Sequence, residues 1–228
     1  VLQLGEFSFG QPTRITATTR MGNGKVIDIE RETELGGPLH SKGVLILSSL
    51  IASRYARKTA FSMTASLVFE QSYGQVEGDS ASLAELCVIL SSLAEVPLRQ
   101  DLAITGSINQ LGQVQPIGGV NEKIEGFFDI CNKQGLTGKQ GVIIPASNIK
   151  YLMLRWDVVH AAKSKQFHIY AVETVDQALH LLTGIEPGIT NDKGEYSETS
   201  FNGKVTAQLK LFNTIKMELM AADKAKDK

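Results

Sequence analysis

The sequence predicts an α/β chain of the α+β type: several small mixed β-sheets with helices interspersed, rather than one doubly wound sheet. Three observations carry this. Strand pairs read as hairpins over 11–32 and 102–117, helical periodicity falls near 44–57, 80–95 and 120–133, and from 140 onward short strands alternate with short helices. With 228 residues the chain can form one large domain, or a medium domain with an appendage, around a substantial core.

In the first hairpin, Thr13 to Thr19 alternates β-favouring and polar residues, Met21-Gly22-Asn23-Gly24 turns, and Val26-Ile27-Asp28-Ile29-Glu30 returns. Leu35-Gly36-Gly37-Pro38-Leu39-His40-Ser41-Lys42-Gly43 reads as a loop. It is not a phosphate loop, because Lys42 precedes Gly43 and no Ser or Thr follows; Gly22-Asn23-Gly24 likewise fails as a dinucleotide fingerprint, with Ile27 in the third glycine's place. Val44, Leu47, Ile51 and Tyr55 share one helix face, and Arg54, Arg57 and Lys58 read as its solvated basic end. Phe61, Met63, Ala65, Leu67 and Phe69 alternate as a half-buried strand. Leu83, Leu86, Cys87, Leu90 and Leu93 recur at helical spacing up to about Val96-Pro97, with Ser82 and Glu85 as a capping box.

The second hairpin turns at Asn109 to Gly112, and Pro116, having no N–H, makes its second strand an edge strand or ends it. Ile124, Phe127, Phe128 and Cys131 then define a helix stripe, with Asn121 as its candidate cap. A strand over Gln140 to Pro145 precedes an apolar helical stretch, Asn148 to Val159, whose Tyr151, Leu152, Leu154, Trp156 and Val159 are assigned to the core. A strand over Phe167 to Val172 leads to a helix over Thr174 to Leu182, with Thr174 and Gln177 as a capping box and Gly184 as its stop. Residues 185–203 have a linker's composition, Val205, Leu209, Phe212, Ile215 and Leu219 suggest a last helix, and Asp223 to Lys228 forms a charged tail. These boundaries give a domain over 1–185, with a linker and C-terminal helix over 186–228 packed on it.

Composition excludes several classes. The 23 Lys plus Arg against 24 Asp plus Glu leave no basic footprint for nucleic acid. No apolar run approaches a spanning helix and no signal-peptide succession is present. Cys87 and Cys131, both on apolar helix stripes, read as buried free thiols of a reducing, cytoplasmic compartment. The chain begins at Val1 in mid-pattern, from which a piece of a longer polypeptide is expected.

Chemistry is expected at Val76-Glu77-Gly78-Asp79-Ser80-Ala81-Ser82, between strand and helix. A serine at such a junction lies among the unpaired N–H groups of a helix start, which favour a developing oxyanion. The rival reading is that Asp79, Ser80 and Ser82 only cap the helix. Lys123 stands beside Ile124, at the edge of the buried face of its helix, where a first-turn lysine can be exposed or partly buried. A Ser-His-Asp arrangement fits poorly: Ser82 replaces the last glycine of a G-x-S-x-G elbow, His160, His168 and His180 lie at the far end, and His40 is in a loop.

Three stretches change the balance when taken together. Gly78-Asp79-Ser80-Ala81-Ser82, then Ile104-Thr105-Gly106 with Gly112-Gln113-Val114, then Pro116-Ile117-Gly118-Gly119-Val120-Asn121-Glu122-Lys123 resemble, in order and spacing, the proteolytic domain of Lon proteases. The B-type pattern is the nearer, since Phe69-Glu70-Gln71-Ser72-Tyr73-Gly74-Gln75 runs directly into Val76, without the proline of the A-type approach. The likeness extends from His40-Ser41-Lys42-Gly43-Val44 to about residue 185. It implies the Lon proteolytic-domain fold, Ser80 as nucleophile, Lys123 as general base, Thr105 beside the lysine amine, and Gly78 and Asp79 as support. It also implies a serine endopeptidase that hydrolyses unfolded polypeptides through an acyl-enzyme. The domain would hold no cofactor, ATP being used by an AAA+ ATPase module in cis within a homo-hexamer. The alternative is a catalytically silent oligomerisation module of an AAA+ assembly.

A Ser-Lys dyad makes a physical demand of its own. A serine hydroxyl needs a base, and a lysine amine is one only when neutral. Bringing its pKa from about 10.4 to about 7 or 8 takes roughly 3 to 5 kcal/mol, which burial must supply. Glu122 or Glu125 pointing at the amine would oppose that shift.

Overall fold

A computed structural model describes residues 1–57 and 60–226, so Lys58 and the last two residues of the charged tail lie outside the described residues. Strands β1 (Leu2–Leu4) and β2 (Phe7–Phe9) form a short antiparallel hairpin for which the sequence reading has no counterpart. Next come β3 (Ile15–Met21), β4 (Lys25–Asp28), α1 (Ile29–Glu32), α2 (Pro38–Tyr55) and β5 (Met63–Phe69). The expected hairpin over 11–32 is corrected: β5 runs between β3 and β4, antiparallel to the first and parallel to the second. The turn itself exists, but the N–H groups of Gly22 and Gly24 donate to Ser62 and Met63 on the approach to β5. The physical reason is burial. Met63, Ala65 and Leu67 on one face are almost fully enclosed, Thr64 on the other face is buried and Ser66 and Val68 half-buried, and a strand covered on both faces takes the centre of its sheet.

Helix α2 begins six residues earlier than its apolar periodicity suggests, so two thirds of the expected Leu35–Gly43 loop is helical. Gly37 is its N-cap and Pro38 its first helical residue, a position where proline loses no hydrogen bond. At its other end Arg54 is not solvated: its guanidinium donates to both oxygens of Asp176 at 2.6 Å and to the Tyr196 hydroxyl at 3.3 Å.

The chain continues through α3 (Ser82–Ala94), β6 (Leu102–Ile104), β7 (Ser107–Ile108), β8 (Val114–Gln115), α4 (Val120–Gln134), β9 (Gly141–Pro145), a 3-10 turn (Ala146–Tyr151), α5 (Trp156–Lys163), β10 (His168–Val172), α6 (Val175–Thr183) and α7 (Phe201–Lys226). The second expected hairpin is also corrected. Only β7 and β8 pair with each other, ending at Pro116 as its missing N–H requires, while β6 joins β9 and β10 in a parallel sheet of order β10-β9-β6. The expected helix over 148–159 is broken into the 3-10 turn and α5, and Tyr151, Trp156 and Val159, assigned above to the core, are exposed. The Thr174 hydroxyl does cap α6, accepting from the Gln177 N–H, and Gly184 ends that helix with φ +70°. In α7, Phe201, Val205 and Leu209 are buried whereas Ile215 and Leu219 are exposed, so only its first half packs inward. Cys87 and Cys131 are buried free thiols.

Two hydrophobic cores result. The larger gathers α2, α3, β5, α6 and the start of α7 around Leu47, Ile51, Leu67, Leu86, Leu90 and Phe201. The smaller holds Ile124 and Phe128 of α4, Val158 of α5, and Phe167, whose ring meets that of Phe128 edge-on at 5.2 Å. Strand β9 divides them by its period of two: Ile143 belongs to the larger core, Val142 and Ile144 to the smaller.

Candidate active site

Ser80 and Lys123 arrive at the seam between the two cores from opposite sides. Ser80 lies two residues ahead of α3, whose Leu83, Leu86 and Leu90 anchor it in the larger core; Lys123 lies in the first turn of α4, whose Ile124 and Phe128 anchor it in the smaller. Thr105 comes from between them, just after β6, where its N–H donates to the Ile143 carbonyl of β9.

The three side chains converge. Lys123 Nζ is 3.0 Å from Ser80 Oγ and 3.2 Å from Thr105 Oγ1. The Thr105 hydroxyl donates to the Ser80 carbonyl at 3.2 Å, and the Gly106 N–H donates to the same carbonyl at 2.8 Å. With its own proton committed to that carbonyl, Thr105 Oγ1 can only accept from the amine. A neutral Lys123 amine thus donates one N–H to Thr105 and keeps its lone pair for the Ser80 hydroxyl proton.

Burial lowers the Lys123 pKa below the ordinary lysine value, against the opposing pull first of Asp79 and then of Glu122. The carboxylate that matters most is therefore Asp79, which the sequence reading had not placed against the amine. Glu125 is engaged elsewhere, accepting from the Arg155 N–H at 2.8 Å. Asp79 is itself held by the Ser107 hydroxyl, which donates to Oδ2 at 2.7 Å.

The loop carrying Ser80 is fixed on both flanks. Gly78 has φ +84°, in the left-handed region that favours glycine, and turns the chain into the site. Upstream, Val76 pairs with Leu35 and Gly37 through backbone hydrogen bonds of 2.9 Å, so the start of α2 steers the approach. Gly43 of α2 packs beside Asp79 and Ser82. The expected capping box of Ser82 and Glu85 is absent: Ala81 is the N-cap, without a side-chain cap. Ser82 instead accepts from the Ile108 N–H at 3.2 Å, because both residues are enclosed between α3 and β7 and a buried hydroxyl takes the nearest unpaired donor. Asn121 does not cap α4 either; Gly119 does, and Asn121 binds the Tyr151 carbonyl and the Met153 N–H.

Sequence reasoning missed Ser107, Gly43 and the true role of Ser82. None lies on an apolar stripe, and each matters through a partner distant in the chain. A cleft of about 440 Å³ lined by Ile117, Gly119, Asn121, Glu122, Asn148 and Tyr151 opens beside the start of α4, next to Lys123 but not over it.

A family model of the Lon protease (S16) C-terminal proteolytic domain matches residues 40–184, more than half of the chain. The chain belongs to that family. Over 178 residues it is 50% identical to a Lon protease homolog of Escherichia coli (strain K12), covering 78% of this chain and 30% of the relative. A Lon protease homolog of Haemophilus influenzae is also 50% identical, over 190 residues and 31% of its length. An archaeal Lon protease of Thermococcus kodakarensis is 38% identical over 133 residues, 58% of this chain and 19% of the relative. The chain thus spans about a third or less of the length of these relatives. Its several small sheets and intervening helices are those of the Lon proteolytic domain.

Proposed function

We propose that this chain is the serine endopeptidase unit of a Lon-like, ATP-dependent protease, in which Ser80 attacks the peptide carbonyl and Lys123 is its general base. The observation that carries this is the 3.0 Å approach of a partly buried amine of lowered pKa to Ser80 Oγ. Lys123 takes the hydroxyl proton as the Ser80 Oγ–C bond forms, then passes it to the amine of the departing peptide. Water, deprotonated by the same lysine, hydrolyses the acyl-enzyme and restores Ser80. Thr105 orients the amine. The N–H groups of Asp79, Ser80 and Ala81 donate to no protein acceptor among the described residues, and we assign the oxyanion site to this turn.

The substrates in this reading are unfolded polypeptides delivered by an AAA+ ATPase module in cis, with the full-length protein a cytoplasmic homo-hexamer. ATP acts in that module and the proteolytic domain, over 1–185 with 186–228 packed on it, uses no cofactor. No described helix is long and apolar enough to cross a membrane.

Lys123→Arg separates this reading from a silent oligomerisation module, because it keeps the charge but cannot supply a neutral amine. Casein or peptide hydrolysis by the full-length protein should vanish in this variant while the assembly state, read by light scattering, stays unchanged. Thr105→Val should cost about tenfold, the worth of one misplaced hydrogen bond. Wild-type protein without peptidase activity would reject the enzyme reading.

A further inference from the structure

Behind the nucleophile loop lies a second cluster of chemical groups that the dyad does not use. Asp28 ends β4, Glu30 sits in α1, His40 in the first turn of α2 and Glu85 in the first turn of α3; each is at least 97% buried. One ligand atom each from Asp28, Glu30 and His40 can be chosen so that all lie within 4.8 Å of one another. His40, read from the sequence as a loop residue, is thus the centre of a buried group of three carboxylates and one imidazole.

The hydrogen bonding of this cluster is incomplete. Both oxygens of Asp28, Glu30 Oε2, His40 Nε2 and Glu85 Oε1 are buried without a hydrogen-bond partner. His40 Nε2 and Asp28 Oδ2 face each other at 3.1 Å as a buried ion pair, which still leaves Asp28 Oδ1 and Glu30 Oε2 without a hydrogen-bond partner. Burying polar atoms without partners is destabilising, and one imidazole cannot balance both Asp28 and Glu30. The remaining contacts look like supports for ligands. Glu30 Oε1 accepts from the Phe69 N–H at 2.9 Å, which leaves Oε2 pointing into the cluster. On the far side of the imidazole, Nδ1 faces Glu85 Oε1 at 3.5 Å, the arrangement in which a carboxylate orients a metal-bound histidine. Phe69 packs edge-on against the His40 ring at 5.6 Å and fixes its plane.

We propose that Asp28, Glu30 and His40 form a structural site for a first-row divalent cation, with Glu85 orienting His40. One nitrogen and two carboxylate donors suit Zn²⁺ or Mn²⁺. The enclosure of every donor marks the site as structural rather than catalytic. A bound ion satisfies the unpaired atoms together, supplies the missing positive charge, and ties β4, α1 and α2 into one unit with α3. Since Leu35 and Gly37, between α1 and α2, pair with Val76, the same ion stiffens the approach to Ser80.

The test uses the full-length protein, stripped with chelator and dialysed against Zn²⁺, or separately Mn²⁺, without nucleotide. One equivalent per chain beyond that of Glu30→Gln should be retained by elemental analysis, and the melting transition of this domain should rise by about 5 to 10 °C at metal well above its dissociation constant. His40→Gln should abolish both effects. Glu30→Gln keeps the Oε1 acceptor for Phe69, so it reads the site even if His40→Gln does not fold. Equal metal content in wild type and Glu30→Gln, or a melting temperature indifferent to both ions, would overturn the proposal and leave the cluster held by protons alone.

Discussion

At the scale of the residue, Lys123 meets two opposed requirements. Burial destabilises its charged form, which is what makes the amine usable as a base, yet the same burial weakens the fold when the amine is charged. Because its folded pKa lies below the unfolded value, the unfolded chain binds more protons between the two, and stability gains from this group as pH rises through that window. Below the folded pKa both states are protonated and the cost is fully present. Lys123→Met should therefore raise stability at neutral pH by about 1 kcal/mol, seen as a higher melting temperature, while abolishing activity. A lower melting temperature would mean that the amine is well paired rather than strained. Asp79 is the largest charge opposing the shift, so Asp79→Asn, which keeps an acceptor for Ser107, should move the rising limb of the pH–rate profile to lower pH. An unmoved limb would remove Asp79 from the electrostatics of the site.

Elements show how much the sequence discloses and where it falls silent. The strand of alternating Met63, Ala65 and Leu67 and the stripe of Leu83, Leu86 and Leu90 were legible because burial imposes a period. Strand partners were not. The turn at Gly22–Gly24 looks the same whether β3 meets β4 directly or β5 passes between them, and β6 shows no mark that sends it to β9. The stretch Asn148 to Val159 misled for a related reason: its apolar residues fit helical spacing, yet Tyr151, Trp156 and Val159 are exposed and impose no continuous buried face. Ser80, Thr105 and Lys123 stood out through a pattern spread over three stretches, whereas Ser107 and the group around His40 act through contacts distant in the chain with no local signature.

The β1–β2 hairpin depends on one such contact. A Cβ on Gly126 would run into the backbone of Gly10, and one on Gly10 into the Glu122 carbonyl, so two facing glycines let the segment after β2 lie on α4 beside Lys123. Gly126→Ala should destabilise by about 1–3 kcal/mol and strip hydrogen-exchange protection from Leu2 to Phe9, since strands this short are marginal alone. Unchanged protection would show that the hairpin is held by other contacts.

The whole molecule is two cores that share strand β9 and bring Ser80 and Lys123 together at their seam. Ser80 is fixed by the larger and Lys123 by the smaller, with β9 and Thr105 between them, so the reactive geometry reports how the cores dock. Any change that rotates α4 against α3 separates Ser80 Oγ from Lys123 Nζ while both cores remain intact. The Ser80 side of the seam is braced by backbone bonds from Gly106 to Ser80 and from Leu83 to Gly106.

If Ser80 and Lys123 act as one unit, a double-mutant comparison shows it. Peptide hydrolysis by the full-length protein should be measured for Ser80→Ala, Lys123→Ala and the pair, with thermal melting to establish that each is folded. Each single change should abolish activity and the pair should be scarcely worse than either, because removing one member disables the other. Substantial hydrolysis by folded Lys123→Ala, or losses that multiply in the double variant, would contradict the account.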